Sequence, residues 1–104
     1  MPAAESHIDA ALRYTRFGQR LLQAEPALRE ALRACLDQPF APDAMQAYLA
    51  AQPILDEASL RRALRGLRKR VALRLMLRDL SGQADLGEVV SGITHLAEVS
   101  IRAA

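Results

Sequence analysis

The stretch EASLRRALRGLRKRVALRLMLRDL, residues 57–80, decides the fold of this chain. Leu60, Ala63, Leu64, Leu67, Val71, Leu75 and Met76 recur at three- and four-residue spacing, which is the pattern of an apolar stripe along an α-helix. Within it, Val71-Ala72-Leu73-Arg74-Leu75-Met76-Leu77 is apolar almost all the way round and leaves Arg70, Arg74 and Arg78 as a narrow polar strip. A helix of that kind needs cover on more than one side. Asp56 stands where an N-cap belongs and Gly82 where a left-handed stop belongs, so the spacing predicts one long helix over 57–80.

Four shorter helices are predicted before and after it in the sequence. Towards the N-terminus, Ala41-Pro42-Asp43 opens a helix through Met45, Tyr48 and Leu49 that closes before Gln52-Pro53, because a residue preceding proline is pushed out of the α region. Pro26 suits the first turn of another, running to about residue 37 with Leu28, Leu32, Cys35 and Leu36 on its apolar face and Pro39 beyond its end. The first helix is expected over about 8–23, with Ile8, Leu12, Phe17, Leu21 and Leu22 on its stripe and Arg13, Arg16 and Arg20 outside it. Towards the C-terminus, Asp85 and Glu88 have capping-box spacing, and Leu86, Val89, Val90, Ile93, Leu96, Ala97 and Ile101 are expected as the buried stripe of the last helix. The helical pattern is still intact at Ala104, as though the chain were cut from something longer.

Composition agrees with this pattern. The 104 residues include 20 Ala and 17 Leu against four Val and four Ile, a mixture that favours helix over sheet. The length suits one domain, so the expected architecture is all-α: a compact single-domain bundle of about five helices spanning 1–104, with the long arginine-rich helix central and the first, second and fifth packed around it. No apolar run reaches the roughly 18 residues of a membrane span. The opening MPAAESHID lacks the features of a signal peptide, and Cys35 has no partner for an internal disulfide; both lead to the expectation of a cytoplasmic protein without a membrane role.

Chemistry-bearing patterns are sparse. His7, His95 and Cys35 are far apart and lack the spacing of metal ligands, and none has the surroundings of a catalytic nucleophile or base. Cys35 reads as a small core residue, His95 as a partly buried helical one and His7 as a solvated terminal one. Gly18, Gly66, Gly82, Gly87 and Gly92 are scattered singly, whereas a phosphate-cradling loop clusters its glycines. Asp56-Glu57 is better explained by capping and the helix dipole than by acid–base catalysis. Catalytic, cofactor-binding and metal residues are therefore expected to be absent.

The conspicuous cluster is Arg61, Arg62, Arg65, Arg68, Lys69, Arg70, Arg74 and Arg78, with no acid among residues 61–78. These eight are the larger part of the chain's 14 cations, so the remainder holds six against 12 acids. Arginine forks suit phosphate or carboxylate partners, yet the acids of the neighbouring helices can pair with them internally, and aromatics for base stacking are missing from this stretch. Ion pairing within the chain or with an adjoining domain is favoured over nucleic acid. The candidate interface is the later part of the helix, Arg68, Arg70, Leu73, Arg74, Leu77 and Arg78.

Several strings together have a family likeness: Tyr14-Thr15-Arg16-Phe17-Gly18-Gln19-Arg20-Leu21-Leu22, the basic run from Leu60 to Arg70, Leu73-Arg74-Leu75, Arg78-Asp79-Leu80-Ser81-Gly82, Ala84-Asp85-Leu86 with Glu88-Val89, and Thr94-His95-Leu96-Ala97-Glu98 with Ile101. They resemble the N-terminal helical region of the bifunctional glutamine-synthetase adenylyltransferase/adenylyl-removing enzymes. Gly18 stands where that family commonly has Ala, and Val71-Ala72 replaces a methionine-containing step. The family's G-K-L-G-G and S-D-x-D-L motifs, which belong to two nucleotidyltransferase domains, are absent.

The resemblance therefore implies a helical scaffold, catalytically silent by itself, that packs on a catalytic domain of its own parent chain. ATP and Mg²⁺ are implied for the absent domains, and glutamine synthetase and a PII-type nitrogen-signalling protein are implied as partners of the parent. The alternatives are a free-standing helical module that binds an acidic partner through residues 61–78, and, more weakly, a helical nucleic-acid binder.

Overall fold

The computed structural model describes residues 8, 9, 12, 13, 15–80 and 82–104. The helices whose bounds lie among the described residues are α1 (Arg16–Ala24), α2 (Pro26–Cys35), α3 (Pro42–Ala50), α4 (Glu57–Leu80) and α5 (Leu86–Ala103). The readings of His7 and of the Cys35 side chain lie outside the described residues.

The ends of α4 follow from its caps. Asp56 Oδ1 accepts from the Ser59 backbone N–H at 2.8 Å, while Ser59 Oγ accepts from the N–H groups of Leu55 and Asp56 at 2.8 and 2.9 Å. Three backbone N–H groups at a helix start are thus satisfied by two short side chains. The backbone hydrogen bond from Ser59, reinforced by its hydroxyl, holds the Asp56 carboxyl below its usual range. At the other end Gly82 takes φ +77°, where a side chain would be strained, and the chain turns towards α5.

The first predicted helix is broken. Thr15 is extended (φ −141°, ψ 112°), and its Oγ1 accepts from Gly18 N at 3.2 Å, so α1 starts afresh at Arg16 although Ile8, Asp9 and Leu12 are already helical. A buried β-branched residue with a hydroxyl serves here as an N-cap rather than as a helix interior. Pro26 and Pro42 occupy first-turn positions of α2 and α3, as expected. Asp85 Oδ1 accepts from Glu88 N at 2.8 Å at the start of α5, but the reciprocal half of the expected capping box is replaced, because the Glu88 carboxylate reaches Arg78.

The all-round apolarity of α4 is resolved by two cores on different faces. Leu73 and Leu77 join Ile8, Leu21, Leu22, Leu32 and Leu36 beneath α1 and α2. Ala63, Leu67, Val71 and Leu75 join Met45, Leu49 and Val99 beneath α3 and α5. The long helix is therefore a central partition, and α3, which was not among the helices expected around it, covers it together with α5. Gly92 lets α5 approach: a Cβ there would lie 3.1 Å from both Leu75 methyls.

Candidate functional site

Half of the arginine cluster is absorbed by the fold. Arg61 pairs with Glu57 one turn earlier at 2.6 Å. Arg70 pairs with Glu25, and its guanidinium lies over the Tyr48 ring, 4.8 Å from the centroid. Arg74 lies 4.3 Å from the centroid of Phe40 and donates to the Pro39 carbonyl at 3.4 Å. Arg78, only 5% exposed, is the most deeply held of these cations. Its Nε and Nη2 bond the two carboxylate oxygens of Glu88 at 2.6 and 2.8 Å, and Nη1 reaches the Leu36 carbonyl at 2.8 Å. This fork raises the Arg78 pKa against the opposing effect of burial.

The six residues of the candidate interface are consequently divided. Leu73 and Leu77 are fully buried under α1 and α2, and Arg78 joins α2 to the start of α5. Those three hold the domain together rather than offering a surface. Arg70 and Arg74 are partly covered by Tyr48 and Phe40, and Arg68 is exposed.

The outward apolar surface lies on α5 instead. Leu86 is 78% exposed and Ile101 75%, with Val90 and Ile93 more than half exposed between them. These are residues expected in the buried stripe. At 3.6 residues per turn, Leu86, Val90, Ile93, Ala97 and Ile101 share about 80° of arc, whereas Val89, Gly92, Leu96 and Val99 share another arc roughly 120° away. The second arc faces the core: Gly92 and Val99 are buried, and Val89 and Leu96 are half-buried. The helix thus carries two apolar stripes, and the lone glycine on one of them was the sequence signal for close approach.

Near the end of α5, Ala104 shares a cleft of about 560 Å³ with Ile54, Leu55, Leu60 and Leu64. Leu55 is 91% exposed there, and Asp56, Glu57 and Arg61 share the lining. A smaller pocket of about 250 Å³ lies between α5 and residues 39–42, floored by Phe40, Val71 and Leu75 and edged by Glu88, Ser91 and His95. His95 is half-buried, as expected.

No group of three His, Cys, Asp or Glu among the described residues could hold a metal ion. Glu88, the carboxylate beside His95, is already committed to Arg78. No described helix is long and apolar enough to cross a membrane.

Comparison with known proteins matches the sequence to one family. The family model described as glutamate-ammonia ligase adenylyltransferase matches residues 8–104. Bifunctional glutamine synthetase adenylyltransferase/adenylyl-removing enzymes are similar over nearly the whole chain: that of Nitrosomonas eutropha is 44% identical over 95% of it, that of Nitrosomonas europaea 46% over 95%, and that of Aromatoleum aromaticum 42% over 99%. The chain spans about 11% of the length of each of these relatives. No solved structure matches it. The helical motifs, the matched family model and these relatives agree, and the chain belongs to the glutamate-ammonia ligase adenylyltransferase family.

Proposed function

We propose that this chain is the N-terminal helical scaffold of an enzyme that adenylylates and deadenylylates glutamine synthetase, and that it packs on the rest of its parent chain. The single observation carrying this reading is the exposed stripe Leu86, Val90, Ile93 and Ile101 on α5, in a chain that spans only about 11% of its relatives. Apolar side chains aligned along one helix face are well suited to burial against another helix. The stripe takes over the docking role first assigned to α4, with Arg68 at the exposed edge of that helix as a further interface residue.

In this reading the chain supplies shape and rigidity. Arg78, Glu88 and the Leu36 carbonyl tie α2, α4 and α5 together, so a load placed on the α5 stripe is passed to the whole bundle. Nucleotide binding with Mg²⁺ and both transfer reactions are assigned to the catalytic domains, as is response to a PII-type signalling protein, and the parent acts in the cytoplasm.

The test is a chimera in which this chain replaces the matching region of the Nitrosomonas eutropha enzyme. The chimera is expected to modify glutamine synthetase in both directions, and Val90→Glu with Ile93→Glu is expected to impair both reactions while the bundle stays folded. Full activity in the doubly charged chimera would overturn the scaffold reading.

A further inference from the structure

Three further members of the arginine cluster, together with two arginines of α1, form no described ion pair. Arg65, Arg68 and Lys69 are exposed on α4, Arg16 and Arg20 are exposed on α1, and no ion pair joins any of the five to an acid among the described residues. The nearby carboxylate of Glu25, just past the end of α1, is taken by Arg70. Two of these cations rim a cleft. Phe17, Arg20, Leu21 and Ala24 on α1 and Lys69 on α4 line an open groove of about 390 Å³, with Phe17 38% exposed at its edge.

The α1 residues fall at positions i, i+3, i+4 and i+7, which is the face one helix offers another. The floor is aliphatic and aromatic, and the rim is cationic. An occupant matching both needs an apolar anchor for the floor and carboxylates on either side of it for Arg20 and Lys69. We propose that the α1–α4 cleft is a docking site for an acidic amphipathic helix of a partner protein, with an apolar side chain seated among Phe17, Leu21 and Ala24 and flanking Asp or Glu residues paired with Arg20 and Lys69.

Charge complementarity carries the choice of occupant. Among the described residues no ion pair offsets the positive rim around the apolar floor, and attraction at such a rim guides approach while the floor selects the anchor. Nucleic acid would use the same cations, but Leu21 and Ala24 give a base no flat face, and Phe17 is the cleft's one aromatic. The site lies on the α1 side of α4, whereas α5 covers another face, so this proposal does not rest on the scaffold reading.

The test is titration of the isotopically labelled full chain with a synthetic helix-forming peptide of about 18 residues, leucine on one face and glutamate elsewhere. Amide shifts are expected to concentrate in residues 17–24 and 65–69. Arg20→Glu with Lys69→Glu is expected to weaken binding by about tenfold or more, and Arg20→Ala with Lys69→Ala by less, without changing the circular dichroism spectrum. Equal affinity for a peptide with serine in place of leucine would reduce the site to diffuse attraction and overturn the proposal. So would equal affinity for a peptide with lysine in place of glutamate, shifts confined to α5, or tighter binding of a single-stranded oligouridylate at the same salt concentration.

Discussion

Arg78 and Glu88 form a two-pronged ion pair, Nε to Oε2 at 2.6 Å and Nη2 to Oε1 at 2.8 Å, at the bend where α4 gives way to α5. Both side chains are largely buried, at 6% and 18% exposure, and the same guanidinium bonds the Leu36 carbonyl. Removing Glu88 takes away the carboxylate that offsets the burial of the guanidinium, although the Leu36 and Gln83 oxygens still bond it. Glu88→Ala is therefore expected to lower unfolding free energy by about 3 kcal/mol, measured by urea denaturation. Arg78→Met in the same chain should add less than its separate cost, because the charge that Glu88 offset is then gone.

Core and stripe respond differently to truncation. Leu73 is fully buried between α4 and the α1–α2 pair, so Leu73→Ala is expected to cost about 2–5 kcal/mol in the same measurement. Leu86→Ser, on the outer face of α5, is expected to change stability by no more than about 0.5 kcal/mol. Comparable losses for the two would mean that the α5 stripe is covered in solution.

Close approach of α5 to α4 depends on Gly92. A Cβ there already comes within 3.1 Å of both Leu75 methyls, and valine adds two further methyl groups. Gly92→Val is expected to destabilise by about 1–3 kcal/mol through overpacking. Leu75→Ala in the same chain should recover part of the loss, which a double-mutant thermal denaturation series would read.

Asp56 makes the start of α4 sensitive to acid. Hydrogen bonds from Ser59 lower its folded-state pKa, so the unfolded chain binds the proton more readily. Its contribution is full above the ordinary aspartate range and disappears as pH falls through the lowered folded value. Asp56→Ala is expected to melt below the wild type at neutral pH, with the gap closing as pH falls through that window. A gap independent of pH would show that the carboxylate does not act as the cap.

Much of the helical plan was legible in the local chemistry. Asp56 with Ser59, Pro26, Pro42 and Gly82 act on groups within a few residues, so their effect is written in the neighbouring sequence. Thr15 was not read as a cap: it is a hydroxyl residue before Arg16 and Phe17, but the continuing apolar spacing from Ile8 to Leu22 concealed the break it makes.

The sequence by itself determined the all-α character, the position of α4 and its need for cover on more than one face, because these depend on spacing along one chain. Only the tertiary structure decided which stripe of α5 turned inward and which arginines were used up. Helical periodicity separates two faces without saying which meets a neighbour, and at Gly92 the missing side chain let the backbone approach Leu75 and drew its own face inside. The partner of Arg70 lies 45 residues away at Glu25, and that of Arg78 ten residues on, across the turn at Gly82. Both pairings depend on the path of the chain through space, which no local pattern encodes.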